Sequence, residues 1–338
     1  MMQKTSISSY RYIRIIACFS IVILHTLFSG SVYFEKHVTA KQNLVNHIIQ
    51  NNLMWAVPCF LMITGSLLLN KEKEVATNKI RKYITRVMLA LICFSFLYQT
   101  LSYIYEDESN ILKGWFYNLF SGQSWAHLWY LYLMVGIYLM IPFYKMIINQ
   151  ISEKQLVYLF FVLIFFISIL PLSKLINIQS GFYIPTSIIY PLYIFLGYYY
   201  GNKKTPRWLS IILILVSTVT IVALTIVQVN TRNESISELL LGYSSILVIV
   251  QTIGIFNLIL SFEFKENYII KVIDDNTFGI YLIHMIFIRA ILKWYGLNPY
   301  IGNGLLFIFS VFFISFIMFM VSLCISYSIR KITKEKLL

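Results

Sequence analysis

Three of the five histidines, His25, His127 and His284, fall inside or at the mouth of long apolar runs. A neutral imidazole is a competent base near pH 7 and a possible nucleophile. Ionisable groups in hydrocarbon-length segments cost free energy, which makes each a functional candidate. Arg14 lies eleven positions before His25, about 16 Å along one helix and close to three full turns. The two therefore share a face at different depths. The bland alternative is an arginine that snorkels and a histidine that hydrogen-bonds a neighbouring helix. His284 follows Tyr281 by three positions in Phe278-Gly279-Ile280-Tyr281-Leu282-Ile283-His284. It can orient a reacting group or serve as a buried structural partner. Asp274, Asp275, Asn276 and Thr277 before it have the composition of a helix cap.

His127, in His127-Leu128-Trp129-Tyr130, opens an apolar run just after Trp125. It can contact a sugar among aromatic rings, although interface anchoring accounts for Trp125, Trp129 and Tyr130 as well. Arg86 ends the basic stretch Lys79, Arg81, Lys82 and Arg86 and enters the next run. A guanidinium there suits bidentate binding of phosphate. The spans carry neither a Walker-type loop nor a His-Glu-x-x-His pattern, and no metal is expected. With Asp274 and Asp275 assigned to a cap, the middle of the bundle also lacks acids. Histidine and arginine together suit a base acting on a hydroxyl, with cations facing a phosphate or an oxyanion. Cys18, Cys59, Cys93 and Cys324 all sit within apolar runs, so neither a disulfide nor a thiolate metal site is expected.

The elements that must position these residues follow from composition. The chain has 338 residues, 59% hydrophobic and 12% charged, with mean hydropathy +0.74. Soluble domains carry about 25% charged residues, so a water-soluble enzyme and a disordered chain are excluded. Apolar runs of helix length lie near 10–31, 48–69, 83–105, 126–148, 155–174, 182–201, 208–229, 238–262, 276–295 and 303–329. Each approaches the roughly 20 residues of a membrane helix, and barrel strands would be shorter and alternating. The expected fold is all-α, a polytopic membrane bundle of about ten transmembrane helices. It forms one domain over 1–338 with no appended soluble domain. Ser29-Gly30-Ser31 resembles a signal cleavage site, but the length of the first run and His25 within it favour a retained helix. Val57-Pro58-Cys59-Phe60 is expected mid-span, and Pro185 and Pro191 in the sixth run. Proline frees backbone groups that must then face protein or a cavity.

The net charge is +13, from 27 Lys+Arg against 14 Asp+Glu. With the N-terminus in the cytoplasm, Lys4, Arg11, Arg14, the basic residues of 71–86, those of 203–207 and the tail lie inside. Lys36, Lys41, Lys113, Lys174, Arg232, Arg289 and Lys293 lie outside. That bias obeys the positive-inside rule, so the charge marks topology and attraction to membrane lipids, not nucleic acid. Both termini are expected in the cytoplasm. Two outer segments exceed a turn: 32–47, and 106–125, which begins Glu106-Asp107-Glu108 and continues into an aromatic, interfacial helix. A homo-oligomer is compatible with this composition.

The stretch from Arg14 to His25 resembles the first helix of the membrane acyltransferase-3 family, whose hallmark is a basic residue, ten intervening residues and a histidine. Pro58-Cys59-Phe60-Leu61-Met62-Ile63-Thr64-Gly65-Ser66, His127-Leu128-Trp129-Tyr130-Leu131 and the segment Phe278 to His284 are similar to three further family segments, in order. Many members carry Arg-x-x-Arg at the third helix; here Tyr83 stands at the first position and Arg86 at the second. The resemblance implies an integral O-acyltransferase of bacterial surface glycans in the multi-pass plasma membrane. It implies transfer of an acyl group, most often acetyl, from cytoplasmic acyl-CoA to a hydroxyl of an extracytoplasmic cell-wall or surface polysaccharide. His25 is then base or transient acyl carrier. Arg14 and Arg86 hold the CoA, and His284 and Tyr281 orient the acceptor or the thioester. A carrier exporting a polysaccharide or small polar metabolite is the alternative, and it predicts paired broken helices in inverted halves, a symmetry this sequence lacks.

Overall fold

A computed structural model describes residues 7–71, 77–106, 110–178, 180–182, 184–302 and 304–333. Lys4, Lys73, Asp107, Glu108, Lys334 and Lys336, which enter the charge reading, lie outside the described residues. The fold is all-α, with no strand among the described residues. In chain order the helices are α1 (Ile7–Tyr33), α2 (Ala40–Asn52), α3 (Ala56–Leu68), α4 (Thr77–Tyr105), α5 (Ile111–Ser121), α6 (Trp129–Gln150) and α7 (Glu153–Ile164). After these come α8 (Ile189–Gly201), α9 (Arg207–Thr231), the single turn α10 (Glu234–Ile236), α11 (Ile246–Leu260), α12 (Tyr268–Arg289) and α13 (Leu305–Ile332).

Among the described residues nine helical segments are long and apolar enough to cross a membrane, with α2 and α3 forming one segment and α8 falling short. Helix direction decides the status of α8. Arg14 pairs with Asp274, Cys18 Sγ lies 3.6 Å from the Thr277 carbonyl oxygen, and His25 meets His284. These contacts rise together along both chains, so α1 and α12 are parallel. If α8 did not cross, α12 would be the eighth pass and would run opposite to α1. The parallel pair therefore requires α8 to cross. With its leading turn Thr186–Ile188 it spans about 25 Å, and neighbouring helices bury most of it.

Helix α8 lies directly against α3. A Cβ at Gly197 would collide with the Met62 backbone, and one at Gly65 with the Ile194 backbone. Small residues that let backbones touch are how helices associate without a hydrophobic drive between them. The outward faces are apolar: Leu215, Val216 and Val219 of α9 and Phe309, Phe313 and Phe316 of α13 are exposed, as a hydrocarbon solvent requires.

Three expectations change. The segment 32–47 contains the first half of helix α2, opened by a capping box of Thr39 and Gln42. Pro58 does lie within the second span, Ala40–Leu68, in the first turn of α3 and immediately after the turn that breaks that span at residues 53–55. A proline there cannot donate to the Met54 carbonyl, so the break precedes it. Pro185 precedes the sixth helix, and Pro191 lies in its first turn. Helix α12 starts at Tyr268 under an Asn267 cap, so Asp274 to Thr277 lie inside the helix and cap nothing. The apolar run began after the two aspartates, and the true helix begins two turns earlier.

The short aromatic helix expected in 106–125 is α5, Ile111–Ser121. Trp115 Nε1 donates to Ser95 Oγ at 2.9 Å, Asn118 Nδ2 to Gln99 Oε1 at 2.9 Å, and Trp125 Nε1 to Ser102 Oγ at 3.0 Å. These acceptors recur every three to four residues along α4, a polar stripe that fastens α5 and its following loop to the bundle.

Candidate active site

His25, in the half of α1 away from its first residue, places Nδ1 2.8 Å from His284 Nε2. The rings are stacked, with centroids 5.1 Å apart and planes 11° apart. His284 is fully buried, and its Nδ1 lies 3.1 Å from the Ile280 carbonyl. A carbonyl only accepts, so His284 Nδ1 carries hydrogen and Nε2 carries a lone pair. That lone pair takes the Nδ1–H of His25, which leaves Nε2 of His25 as its basic nitrogen. One backbone carbonyl thus fixes the tautomers of two rings.

His25 also lines a cavity of about 30 Å³, together with His127, Trp129, Tyr130, Tyr243 and Tyr281, and with Leu53, Ala56 and Val57 from the broken second span. That is room for about one water molecule, or for the reacting atoms of a larger ligand. His127 is held by the short turn Ala126–Leu128 that precedes α6. Its ring centroid lies 6.3 Å from that of His25 and 5.5 Å from that of His284. Tyr281 donates its hydroxyl to the His127 carbonyl, and Tyr98 donates to the Leu282 carbonyl with its ring 5.1 Å from His127. Among the described residues no three His, Cys, Asp or Glu side chains converge as metal ligands would.

A family model described as an acyltransferase domain matches residues 7–328. The chain belongs to the acyltransferase-3 family. No curated protein and no solved structure matches it. The chain is thus a multi-pass membrane protein and a transferase of the acyltransferase class.

In this acyltransferase, four of the residues singled out by sequence, His25, His127, Trp129 and Tyr281, line one cavity, and His284 stands behind His25. Arg14 and Arg86 do not line it. Arg14 forms a fork with Asp274, Nε to Oδ1 at 2.5 Å and Nη2 to Oδ2 at 2.6 Å, and Arg11 Nε approaches the same carboxylate at 3.8 Å. Asp274 is 7% exposed, so the acid expected as a helix cap is instead a buried partner within the second turn of α12. The guanidinium of Arg86 lies over the Phe278 ring, 5.3 Å from its centroid, between α4 and α12. Phe278 is six residues before His284, about 9 Å along α12.

Trp125 is no interface anchor. It is 8% exposed, stacked on Tyr98 at 4.3 Å and covered by the Arg289 guanidinium at 3.7 Å. Arg289 and Lys293 both pair with Glu106, at 3.0 and 2.7 Å. The free cysteines form no disulfide; Cys18 and Cys59 are buried, and Cys93 and Cys324 are exposed.

Sequence reasoning missed Tyr243, Tyr98 and Asp274. Tyr243 reaches the cavity from the short link before α11, and nothing local marks it. Asp274 carried a usable signal: it precedes His284 by ten positions as Arg14 precedes His25 by eleven. Two parallel helices can satisfy both pairs at once.

Proposed function

We propose that the protein transfers an acyl group, most often acetyl, from cytoplasmic acyl-CoA to a hydroxyl of an extracytoplasmic cell-wall or surface polysaccharide, in the plasma membrane. The observation that carries this reading is His25 at the cavity wall, its Nε2 left as the basic nitrogen by the His284 and Ile280 contacts. His25 Nε2 takes the hydroxyl proton as the acceptor oxygen attacks the thioester carbonyl. The C–O bond forms, the C–S bond breaks, and the proton passes to the departing thiolate. His284 accepts the Nδ1 hydrogen of His25 and so spreads the charge that develops on the pair. In the carrier form Nε2 attacks the thioester carbonyl, the C–N bond forms and the C–S bond breaks with release of thiolate. The hydroxyl then attacks the acyl-imidazole, the C–O bond forms, the C–N bond breaks and the hydroxyl proton passes by way of the freed nitrogen to the thiolate. A small, largely apolar cavity suits either form because water, the competing acceptor, is nearly excluded.

Arg86 is the donor contact in this reading, since it enters the bundle beside α12 on the side of the basic stretch Lys79 to Lys82. Arg14 supports α1 through Asp274. Tyr281 and Trp129 orient the reacting groups, and His127 faces His25 across the cavity. The test is release of free CoA by purified protein supplied with acetyl-CoA and a glycan acceptor. The expected result is acceptor-dependent release that His25→Ala abolishes. Equal release by both proteins would remove His25 from the mechanism, and no release from any acyl-CoA would overturn the reading.

A further inference from the structure

The half of the bundle that contains His25 opens at its end into a groove of about 540 Å³. Asn43 and His47 of α2, Gln228 of α9, Arg232 just after it, and Glu234 and Glu238 beyond line the groove, and Val229 is an apolar exception on a polar wall. Among the described residues, Arg232, Glu234 and Glu238 have no ion-pair partner. Two structural elements connect this groove with the catalytic cavity. The stretch from His47 of α2 to Leu53, just past the end of that helix, covers about 9 Å, and the chain from Glu238 continues to Tyr243; Leu53 and Tyr243 both line the cavity.

Between the two spaces lies a seam of amides within segments apolar enough to span a membrane. Asn51 Nδ2 donates to Thr225 Oγ1 at 3.0 Å, and Gln251 Nε2 contacts Asn52 Oδ1 at 3.2 Å and Thr218 Oγ1 at 3.1 Å. Among the described residues, Gln228 Oε1, Gln251 Oε1 and Gln50 Nε2 are buried without a hydrogen-bond partner. Buried polar atoms left this way cost free energy unless a ligand or water completes them. Amides both donate and accept, which matches hydroxyl groups. The two unpaired carboxylates outnumber the single guanidinium, which disfavours phosphodiesters and uronates at the groove.

We propose that the groove seats the acceptor, an uncharged or ammonium-bearing polyhydroxyl compound, and that the amide seam leads its hydroxyl to His25. This rests on the acyl-transfer reading and narrows it by excluding polyanionic acceptors.

The test measures binding without donor, so no turnover enters it. Full-length protein in nanodiscs is titrated by fluorescence anisotropy with end-labelled oligosaccharides of equal length: glucosamine, N-acetylglucosamine and galacturonate. The first two bind and galacturonate does not. Glu234→Gln with Glu238→Gln weakens the glucosamine probe about tenfold and leaves the N-acetylglucosamine probe unchanged; both carboxylates are exposed, so packing is untouched. Gln228→Leu weakens both probes about tenfold, the loss of one buried hydrogen bond. Galacturonate binding tightest, or dissociation constants that none of these substitutions moves, overturns the groove assignment. Binding as described with no acyl transfer by the wild-type protein would count against the acyl-transfer reading alone.

Discussion

At the scale of single residues, the site depends on one hydrogen-bond chain from the Ile280 carbonyl through His284 to His25. His25→Ala should lower kcat about 100- to 10,000-fold, the range of a lost general base, with little change in donor KM; steady-state kinetics checks it. His284→Ala leaves the His25 Nδ1–H without its acceptor and should lower kcat while sparing both KM values. His284→Gln supplies an amide oxygen as acceptor and should recover about tenfold over alanine if orientation is the main contribution. No recovery would assign His284 to proton sharing instead. A single turnover without acceptor, followed by peptide mass spectrometry, separates base from carrier: an acylated His25 peptide identifies the carrier. The histidines were legible in the sequence because imidazoles are conspicuous in apolar runs. Their mutual contact was not, since 259 positions separate His25 from His284.

At the scale of helices, α1 and α12 are clasped at two depths, by Arg14–Asp274 and by His25–His284. Removing one partner of a mostly buried ion pair costs about 3 kcal/mol because the other charge stays behind. Arg14→Leu or Asp274→Leu alone should therefore lower the melting temperature, and the double variant should restore part of the loss; a thermal melt in detergent reads this. The clasp also gives Arg14 a task other than CoA binding. Donor KM measured with acetyl-CoA and with acetyl-pantetheine tests the division. Arg86→Leu should raise KM only for acetyl-CoA, which carries the nucleotide phosphates, and Arg14→Leu should not discriminate. At the α3–α8 contact, Gly197→Ala drives a methyl into the Met62 backbone and should destabilise by at least about 2 kcal/mol. Apolar runs made these helices legible, but the start of α12 was misjudged at Asp274, where capping and tertiary pairing outweigh hydropathy.

For the whole molecule, the parallel pair α1 and α12 makes α8 a crossing helix and puts the start of α1 and the end of α13 at one end of the bundle, where Ser326 bonds Asn276. With that end cytoplasmic, a membrane-impermeant maleimide should label Lys36→Cys in intact cells. Lys203→Cys should react only after permeabilisation, both in a Cys93→Ser, Cys324→Ser background. Labelling of both from outside would break the assignment. Composition alone determined a membrane bundle, because a chain with 12% charge cannot cover itself against water. Periodic apolar length determined nearly every helix, and isolated ionisable residues marked His25, His284 and Arg14. Which of them meet was decided only by tertiary structure. Helix packing can bring any two faces together, and the hydrocarbon that makes each charge conspicuous also forces it to find a partner. Arg14 found Asp274, His25 found His284, and the amides of α2 found a groove that no local pattern announces.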